Sequence, residues 1–431
     1  MSPFSSIHAV RVPRLCQRAV KAMQVMHPRC AALDLGKDVL AAAVRVQDED
    51  GVKQECRTYR TTSRWLGELC AWLHGHGVTH VVMEATGSYW KSVWHALEGQ
   101  FELTLANPAQ VKNLPGRKSD VNDATWMADL LAHGLIRGSF VPATEIGALR
   151  ELTRTRKQFV REVARHTLRI QKILDVANLK LTGTISEVLG VTGRAILKAL
   201  IAGETDPERL ANLAHPRVKV SRERLVESLH GRLTEQQRRL LKLHLKQIVT
   251  LEASIEQLDR DIAKAVSPFR RVVERLKTAP GLSDIVVPAM LGEIGLDMTR
   301  FRTHRHLVSW ARLSPRLDES AGKVHSTRTL KGAVWIKTIM VQAAWCAIRV
   351  KDSYPRAQFL RIRSRRGTKK AIVAVAASLL TAVYYMLRDG SAYRDLGSGH
   401  FDKHDRTKVA RRFVARLTQL GYHVQISEAA A

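Results

Sequence analysis

Four acids in the first third of the chain, Asp34, Glu84, Asp120 and Asp123, have the types and positions to hold a hard divalent cation. Such a cation selects oxygen ligands, and Mg²⁺ held this way can stabilise the attacking and leaving oxygens of a phosphodiester exchange. Asp34 and Glu84 each end an apolar run, in ALDL and VVME, where a solvated acid is not expected. Asp120 and Asp123 stand three residues apart in SDVNDATWMADLL, a spacing that places both on one face of a helix. Paired acids on a helix are more often simply solvated, and lone acids at strand ends are common. The set of four, more than any one member, points to metal chemistry.

The elements that must position these acids are legible in residues 30–140. Ala31–Leu35 and Val39–Val46 read as two short strands joined by a tight turn at Gly36–Asp38, with a third strand at Cys56–Thr61. An amphipathic helix is expected at Trp65–His74, a buried strand at Val78–Met83 leading into Glu84, and another strand at Phe101–Ala106. Asn107–Pro108 breaks the chain before a helix at Asp120–Leu131. Two adjacent antiparallel strands, a third, then strands separated by helices is the order of a ribonuclease H-like α/β domain.

From Glu145 to Val266 the pattern is helical and charged. One long helix carries Leu149, Leu152, Phe159, Val163, Ile170 and Leu174; another carries Ile248, Leu251, Ile255, Leu258 and Ile262. The second stripe suits a coiled coil, either between chains or as a hairpin within one. A shorter helical insert, Gly190–Arg217, lies between them. Ala279–Leu282 followed by Val286–Ile294 resembles a helix-hairpin-helix, whose turn offers backbone N–H groups to phosphate, though a helix pair that merely packs looks the same. The densest basic run, RIRSRRGTKK, contributes Arg363, Arg365, Arg366, Lys369 and Lys370 as nucleic-acid contacts at the start of a helix Ala371–Leu387.

At 431 residues the chain holds two or three domains, and 45% hydrophobic residues make it globular. A net charge of +29, spread along the chain, calls for a polyanion, with DNA or RNA first. Five scattered cysteines show no zinc spacing and read as reduced thiols of a cytosolic protein. No apolar run reaches the length of a membrane span, since Ala371–Tyr385 is too short. Residues 1–28 form a basic arm for which a transit peptide, a phosphate-touching arm and a start placed before Met23 or Met26 all stay open.

Five segments carry a family resemblance: ALDLGKDVLAAAV, VVMEATGSYW, LANPAQVKNLPGRKSDVNDATWMADLL, APGLSDIVVPAMLGEIGLDMTRF and LDESAGKVHSTRTLKGAVWIKTIMVQAAW. In this order, over about residues 30–390, they resemble the insertion-sequence 110/1111 family of DEDD transposases, the bridge-RNA-guided serine recombinase type. The resemblance implies an α/β plus all-α fold: a RuvC/ribonuclease H-like DEDD domain (29–143), a helical coiled-coil segment (144–270), a mostly helical serine-bearing transposase domain (271–392) and a tail (393–431). It implies that Asp34, Glu84, Asp120 and Asp123 bind Mg²⁺, and that Lys37 completes the first-hairpin motif. It also makes Ser320, in LDESAGK, the nucleophile that forms a phosphoserine with DNA. From its residues alone Ser320 is an ordinary loop serine, no better placed than Ser314 or Ser326. Lys323, Arg328 and Lys331 lie near enough in sequence to meet phosphate charge. Implied partners are donor and target DNA, a noncoding guide RNA and further copies of the chain, in a bacterial cytoplasm at the nucleoid.

The chain departs from the family pattern at Gly332-Ala333-Val334, where Gly-Asn commonly precedes the tryptophan, here Trp335. That puts in doubt an asparagine hydrogen bond and leaves the serine untouched. Asp129 is a spare acid a turn or more beyond the pair and reads as structural. Ser320 of one copy meeting the acids of another, with Ile248–Ile262 as the contact, is the favoured arrangement. The competing activity is a Holliday-junction-type nuclease using the carboxylates and water; a non-catalytic nucleic-acid-binding protein is the reading outside enzymes.

Overall fold

The computed structural model describes residues 24–85, 87–107, 120–316, 318–320, 322–326, 328–329, 332, 334–401 and 406–425. Pro108, Lys331 and most of the basic arm fall outside them. Within helices and strands, Asp120 and Ser320 are described by backbone alone. The chain divides into two compact units, residues 1–141 and 142–431.

The first unit is a mixed five-stranded sheet. Its strands are β1 (Arg29–Leu35), β2 (Val39–Asp48), β3 (Gly51–Arg60), β4 (His80–Glu84) and β5 (Glu102–Ala106), ordered β3-β2-β1-β4-β5. β1–β2 and β2–β3 are antiparallel, whereas β4 runs parallel to both β1 and β5. β1 is central and buried on both faces, which explains its unbroken apolar run. Gly36 makes the β1–β2 turn possible, since a Cβ there would lie 2.6 Å from the Val39 carbonyl oxygen.

α1 (Ser63–Gly75) and α2 (Trp90–Leu97) cover one face, setting Leu69, Leu73, Val93 and Leu97 on Leu33, Val81 and Met83. α3 (Asp120–Ala132) covers the other, setting Met127, Ala128, Leu131 and Ala132 on Cys30, Ala32, Val82 and Ala106. Burying Met127 and Leu131 contributes roughly 2 kcal/mol each. β3 begins at Gly51, five residues before the Cys56 expected from sequence. As an edge strand it is largely exposed, so its first half lacks apolar alternation. α2 lies between the strands at Val78–Met83 and Phe101–Ala106, where the residue pattern names no helix.

The second unit is mostly helical. α4 (Thr144–Val176) and α9 (Glu235–Val266), each about 50 Å long, form an antiparallel hairpin. Its register is marked by Arg156 with Asp259 nearer one end and His166 with His244 further along. A capping box of Thr234 and Gln237 starts α9. Short helices between them, α5 (Leu181–Thr184), α6 (Val191–Ala202), α7 (Pro207–Ala211) and α8 (Arg222–Ser228), fill the hairpin's far end around Leu197, Leu200, Leu225 and Leu229. Ile248 and Ile262 are thus buried inside the chain, whereas Leu251, Ile255 and Leu258 between them are half-buried.

The remaining core joins α10 (Arg270–Lys277), α11 (Val286–Ile294), α12 (His304–Trp310), α13 (Val334–Ala347), α14 (Tyr354–Arg366) and α15 (Thr368–Asp389), with α16 (Arg406–Gln419) following. The turn after α10 packs on α13: a Cβ at Gly281, whose φ is +83°, would lie 2.1 Å from the Ala343 carbonyl oxygen. α15 extends past the apolar stretch read from sequence and is, at 22 residues, long and apolar enough to cross a membrane. Ala371, Val375, Leu379 and Val383 are nevertheless buried in the unit's core.

Candidate active site

Strand alternation aims Cys30, Ala32 and Asp34 of β1, and Val82 and Glu84 of β4, at the face covered by α3. β1 and β4 are parallel neighbours, with Leu33 opposite Met83, so Asp34 and Glu84 leave adjacent strands side by side. Both are partly exposed, Asp34 as the last but one residue of β1 and Glu84 as the last of β4.

Four contacts fix how α3 lies on this face. Asp129 accepts from Arg45 Nε at 2.8 Å and from Gln54 at 2.9 Å. The Cys30 thiol donates to the Ala128 carbonyl at 3.5 Å, and Cys56 Sγ lies 3.3 Å from Thr125 Oγ1. Cys30 pairs with Arg45 and Arg45 with Gln54, whereas Cys56 pairs with Ala43 and Ala43 with Ala32. Descending α3 from Asp129 to Thr125 therefore ascends β1 from Cys30 to Ala32: helix and strand run antiparallel. The distances agree. From Cys30 to Asp34 the strand rises about 13 Å, and from Ala128 back to Asp120 the helix rises about 12 Å. The first turn of α3, with the backbone of Asp120 and Asp123, reaches the level of Asp34. The helix N-terminus favours carboxylates there.

Hard oxygen donors grouped at one edge suit Mg²⁺ in kind. Among the described residues no three His, Cys, Asp or Glu form a ready ligand group, and Asp120, described by backbone alone, does not enter that count. Asp129 is engaged by Arg45, which is only 4% exposed, and by Gln54. Burial pushes the Cys30 thiol up to about 12, so it stays protonated and unreactive. Lys37 is exposed in the β1–β2 turn, where its carbonyl accepts from Thr61.

In the second unit, β6 (Asp318–Ser320) and β7 (Lys323–Ser326) form a two-stranded hairpin. Ser320 is the last residue before the turn, and its backbone pairs with Lys323. Gly322 takes φ +75° in the turn, a conformation that favours glycine. The hairpin is closed at its base by Arg316 N donating to Arg328 O at 3.0 Å and by a Pro315–Thr329 bridge. Lys323 and Arg328 are exposed. Sequence reading missed Lys337, which donates from α13 to Thr329 Oγ1 at 2.6 Å and ties the hairpin base to the helix. A lone lysine in the apolar run VWIKTIMV was the available signal.

The run RIRSRRGTKK forms a corner. Arg363, Arg365 and Arg366 end α14, Gly367 turns with φ +80°, and Lys369 and Lys370 open α15. All five cations are exposed, and among the described residues none is paired with a carboxylate. The arginines suit the C-terminal dipole of α14, but the lysines crowd the positive end of α15. Such a corner is a ready surface for a polyanion.

Residues 31–178 match the family model of the DEDD transposase of IS110-type elements, and residues 273–360 match that of the transposase IS116/IS110/IS902 family. A probable family 20 transposase of Pseudomonas aeruginosa is 26% identical over 321 residues, covering 73% of this chain and 85% of the relative. The pilin gene-inverting protein of Moraxella bovis is 23% identical over 364 residues, covering 79% of this chain and 90% of its own, and that of Moraxella lacunata matches to the same extent. With two models of one transposase family matched in order along its length, the chain belongs to the IS110 family of transposases, enzymes that cut and rejoin DNA.

Proposed function

We propose that this transposase breaks and rejoins DNA through a phosphoserine bond at Ser320, with Mg²⁺ at Asp34, Glu84, Asp120 and Asp123 and a bridge RNA as guide. The observation that carries the reading is the antiparallel seating of α3 on β1, which brings the first turn of the helix to the strand ends bearing Asp34 and Glu84. The sheet order, three antiparallel strands followed by two parallel ones, supports a RuvC-like domain at 29–143.

When bound, Mg²⁺ would neutralise phosphate charge and favour departure of an oxygen. Ser320 Oγ attacks phosphorus, forming the O–P bond as the bond to the 3′ oxygen breaks. The proton lost by the hydroxyl ends on that 3′ oxygen. One phosphodiester replaces another, so the strand can be resealed without an external energy source. Lys323 and Arg328, exposed on the same hairpin, supply fixed positive charge for the phosphate. Gene inversion, the act for which the Moraxella relatives are named, requires every broken strand to be rejoined, which suits a bond-conserving step. The basic corner at Arg363–Lys370 supports binding of the guide and the DNA through their phosphates.

The test is to trap the adduct. Wild-type protein with Mg²⁺, guide RNA and DNA should yield a denaturation-resistant protein–DNA species, absent for Ser320→Ala. Asp34→Ala, Glu84→Ala, Asp120→Ala and Asp123→Ala should each abolish recombination without changing thermal unfolding. Cleavage that persists in Ser320→Ala with no adduct at any time would replace serine chemistry with hydrolysis by water.

A further inference from the structure

The helical unit holds a cavity of about 110 Å³ where α4 passes α11 and α13, and neither the carboxylates nor the serine hairpin accounts for it. Its walls carry apolar residues, the cations of α4 and three carboxylates, Asp259, Asp284 and Glu293, of which Asp284 is paired with Lys277. Val160, Ile285 and Ile339 form an apolar side, on which Ile285 is 57% exposed although it opens a core helix. Opposite chemistry comes from α4. The guanidinium groups of Arg154 and Arg161 sit 5.2 and 5.3 Å from the centre of the Trp335 ring.

The cations here are unequally neutralised. Arg154 donates through Nε and Nη2 to the buried Glu293 carboxylate at 2.7 and 2.8 Å, and Arg156 is paired with Asp259. Lys157 instead donates to the neutral amide oxygen of Gln342 at 3.2 Å. Among the described residues neither Lys157 nor Arg161 has a carboxylate partner. Burial, then the like charges of Arg161 and Arg156, hold the Lys157 ammonium below the ordinary lysine range. A half-buried lysine beside two arginines is an unfavourable arrangement that an incoming anion relieves.

We propose that this cavity binds a single nucleotide unit, with its phosphate on Lys157 and Arg161 and its base against Val160, Ile285 and Ile339 beside Trp335. A bare phosphate would leave the apolar wall unused, whereas a nucleotide matches both halves. The cavity is small, about 110 Å³, and open to one side, so it takes a single six-membered ring more readily than a fused pair and favours a pyrimidine over a purine. Cations that hold the backbone beside a surface that holds the base are how unpaired strands are bound in general. The nucleotide is either an unpaired residue of a strand or free in solution. The inference does not depend on the serine or carboxylate chemistry, because it is read by binding alone.

The test uses the full-length protein and calorimetric titration with uridine 5′-monophosphate, a short oligouridylate and inorganic phosphate. Uridine monophosphate should bind more tightly than inorganic phosphate. Lys157→Gln and Arg161→Gln should each weaken it about tenfold, as for a lost charged hydrogen bond. Ile285→Asp is the second variant: residue 285 is 57% exposed at the start of α11, so the substitution opens no hole in the core, yet its charge at the cavity should repel the phosphate. Arg209→Gln, exposed on α7, should leave binding unchanged. Tighter binding of the oligouridylate identifies a strand as the source, and equal binding identifies the free nucleotide; either supports the proposal. Equal binding of uridine monophosphate and phosphate, or unaltered binding in properly folded Lys157→Gln, Arg161→Gln and Ile285→Asp, overturns it.

Discussion

Asp129→Ala separates an acid that holds the fold together from acids placed for chemistry. The Arg45 side chain is 5% exposed, and Asp129, 24% exposed, accepts from its Nε while also accepting from Gln54. Arg45 Nη1 already lacks a protein partner, so Asp129 carries most of the compensation for a buried guanidinium. Removing one partner of a buried pair costs roughly 3–5 kcal/mol; partial exposure of Asp129 places this case at the lower end, about 3 kcal/mol. These contacts join α3 to β2 and β3, so the loss should appear in the sheet as well as in the helix.

Hydrogen exchange of the intact protein, followed by mass spectrometry of peptides from β1, β2 and α3, reads that loss directly. About 3 kcal/mol corresponds to roughly 100-fold faster exchange at amides that open with the whole unit. Asp129→Asn, which keeps an acceptor but not the charge, should fall between. Asp123→Ala, at the partly exposed first turn, should leave exchange near the wild-type rate. If Asp129→Ala exchanged at the Asp123→Ala rate, the argument that Asp129 neutralises a buried charge would fail.

Substituting Arg363, Arg365, Arg366, Lys369 and Lys370 by alanine should weaken DNA binding for all sequences alike and flatten the log–log salt dependence by roughly one per lost phosphate contact; an unchanged slope in a filter-binding titration would remove the corner from the interface. His244 Nδ1 lies 3.1 Å from His166 Nδ1, and its pKa is held below 6.5 by burial and then by His166. The unfolded chain therefore binds the proton more readily, so this contribution to stability is complete above about pH 6.5 and declines as pH falls below it. His244→Gln should reduce that acid-side loss in thermal melts between pH 5 and pH 7, and an identical pH profile would refute the assignment. Gly281→Ala should cost about 2–4 kcal/mol, because the new Cβ meets the Ala343 carbonyl at 2.1 Å and the backbone sits at φ +83°; a chemical denaturation curve matching wild type would contradict it.

Local pattern made much of this molecule readable from its residues. The two-faced apolar run of β1, the near-continuous apolar run of β2 and the long stripes of α4 and α9 are each legible within their own element. Where burial is weak the pattern fades, which is why the first half of edge strand β3 was missed. The charge and the clustering of Arg363–Lys370 are likewise properties of the chain itself. What required the folded molecule is every relation between distant segments. A stripe such as Ile248–Ile262 can face its own chain or another, and only the fold shows Ile248 and Ile262 buried within their own chain. The spacing of Asp120 and Asp123 puts them on one helix face but cannot say over which end of the sheet that face lies. Contacts far apart in sequence, Cys30 with Ala128 and Arg45 with Asp129, turned α3 antiparallel to β1 and carried its acidic end to Asp34. Trp335 between two arginines of α4 likewise came only from folding, since contacts across some 180 residues leave no periodic trace in the chain.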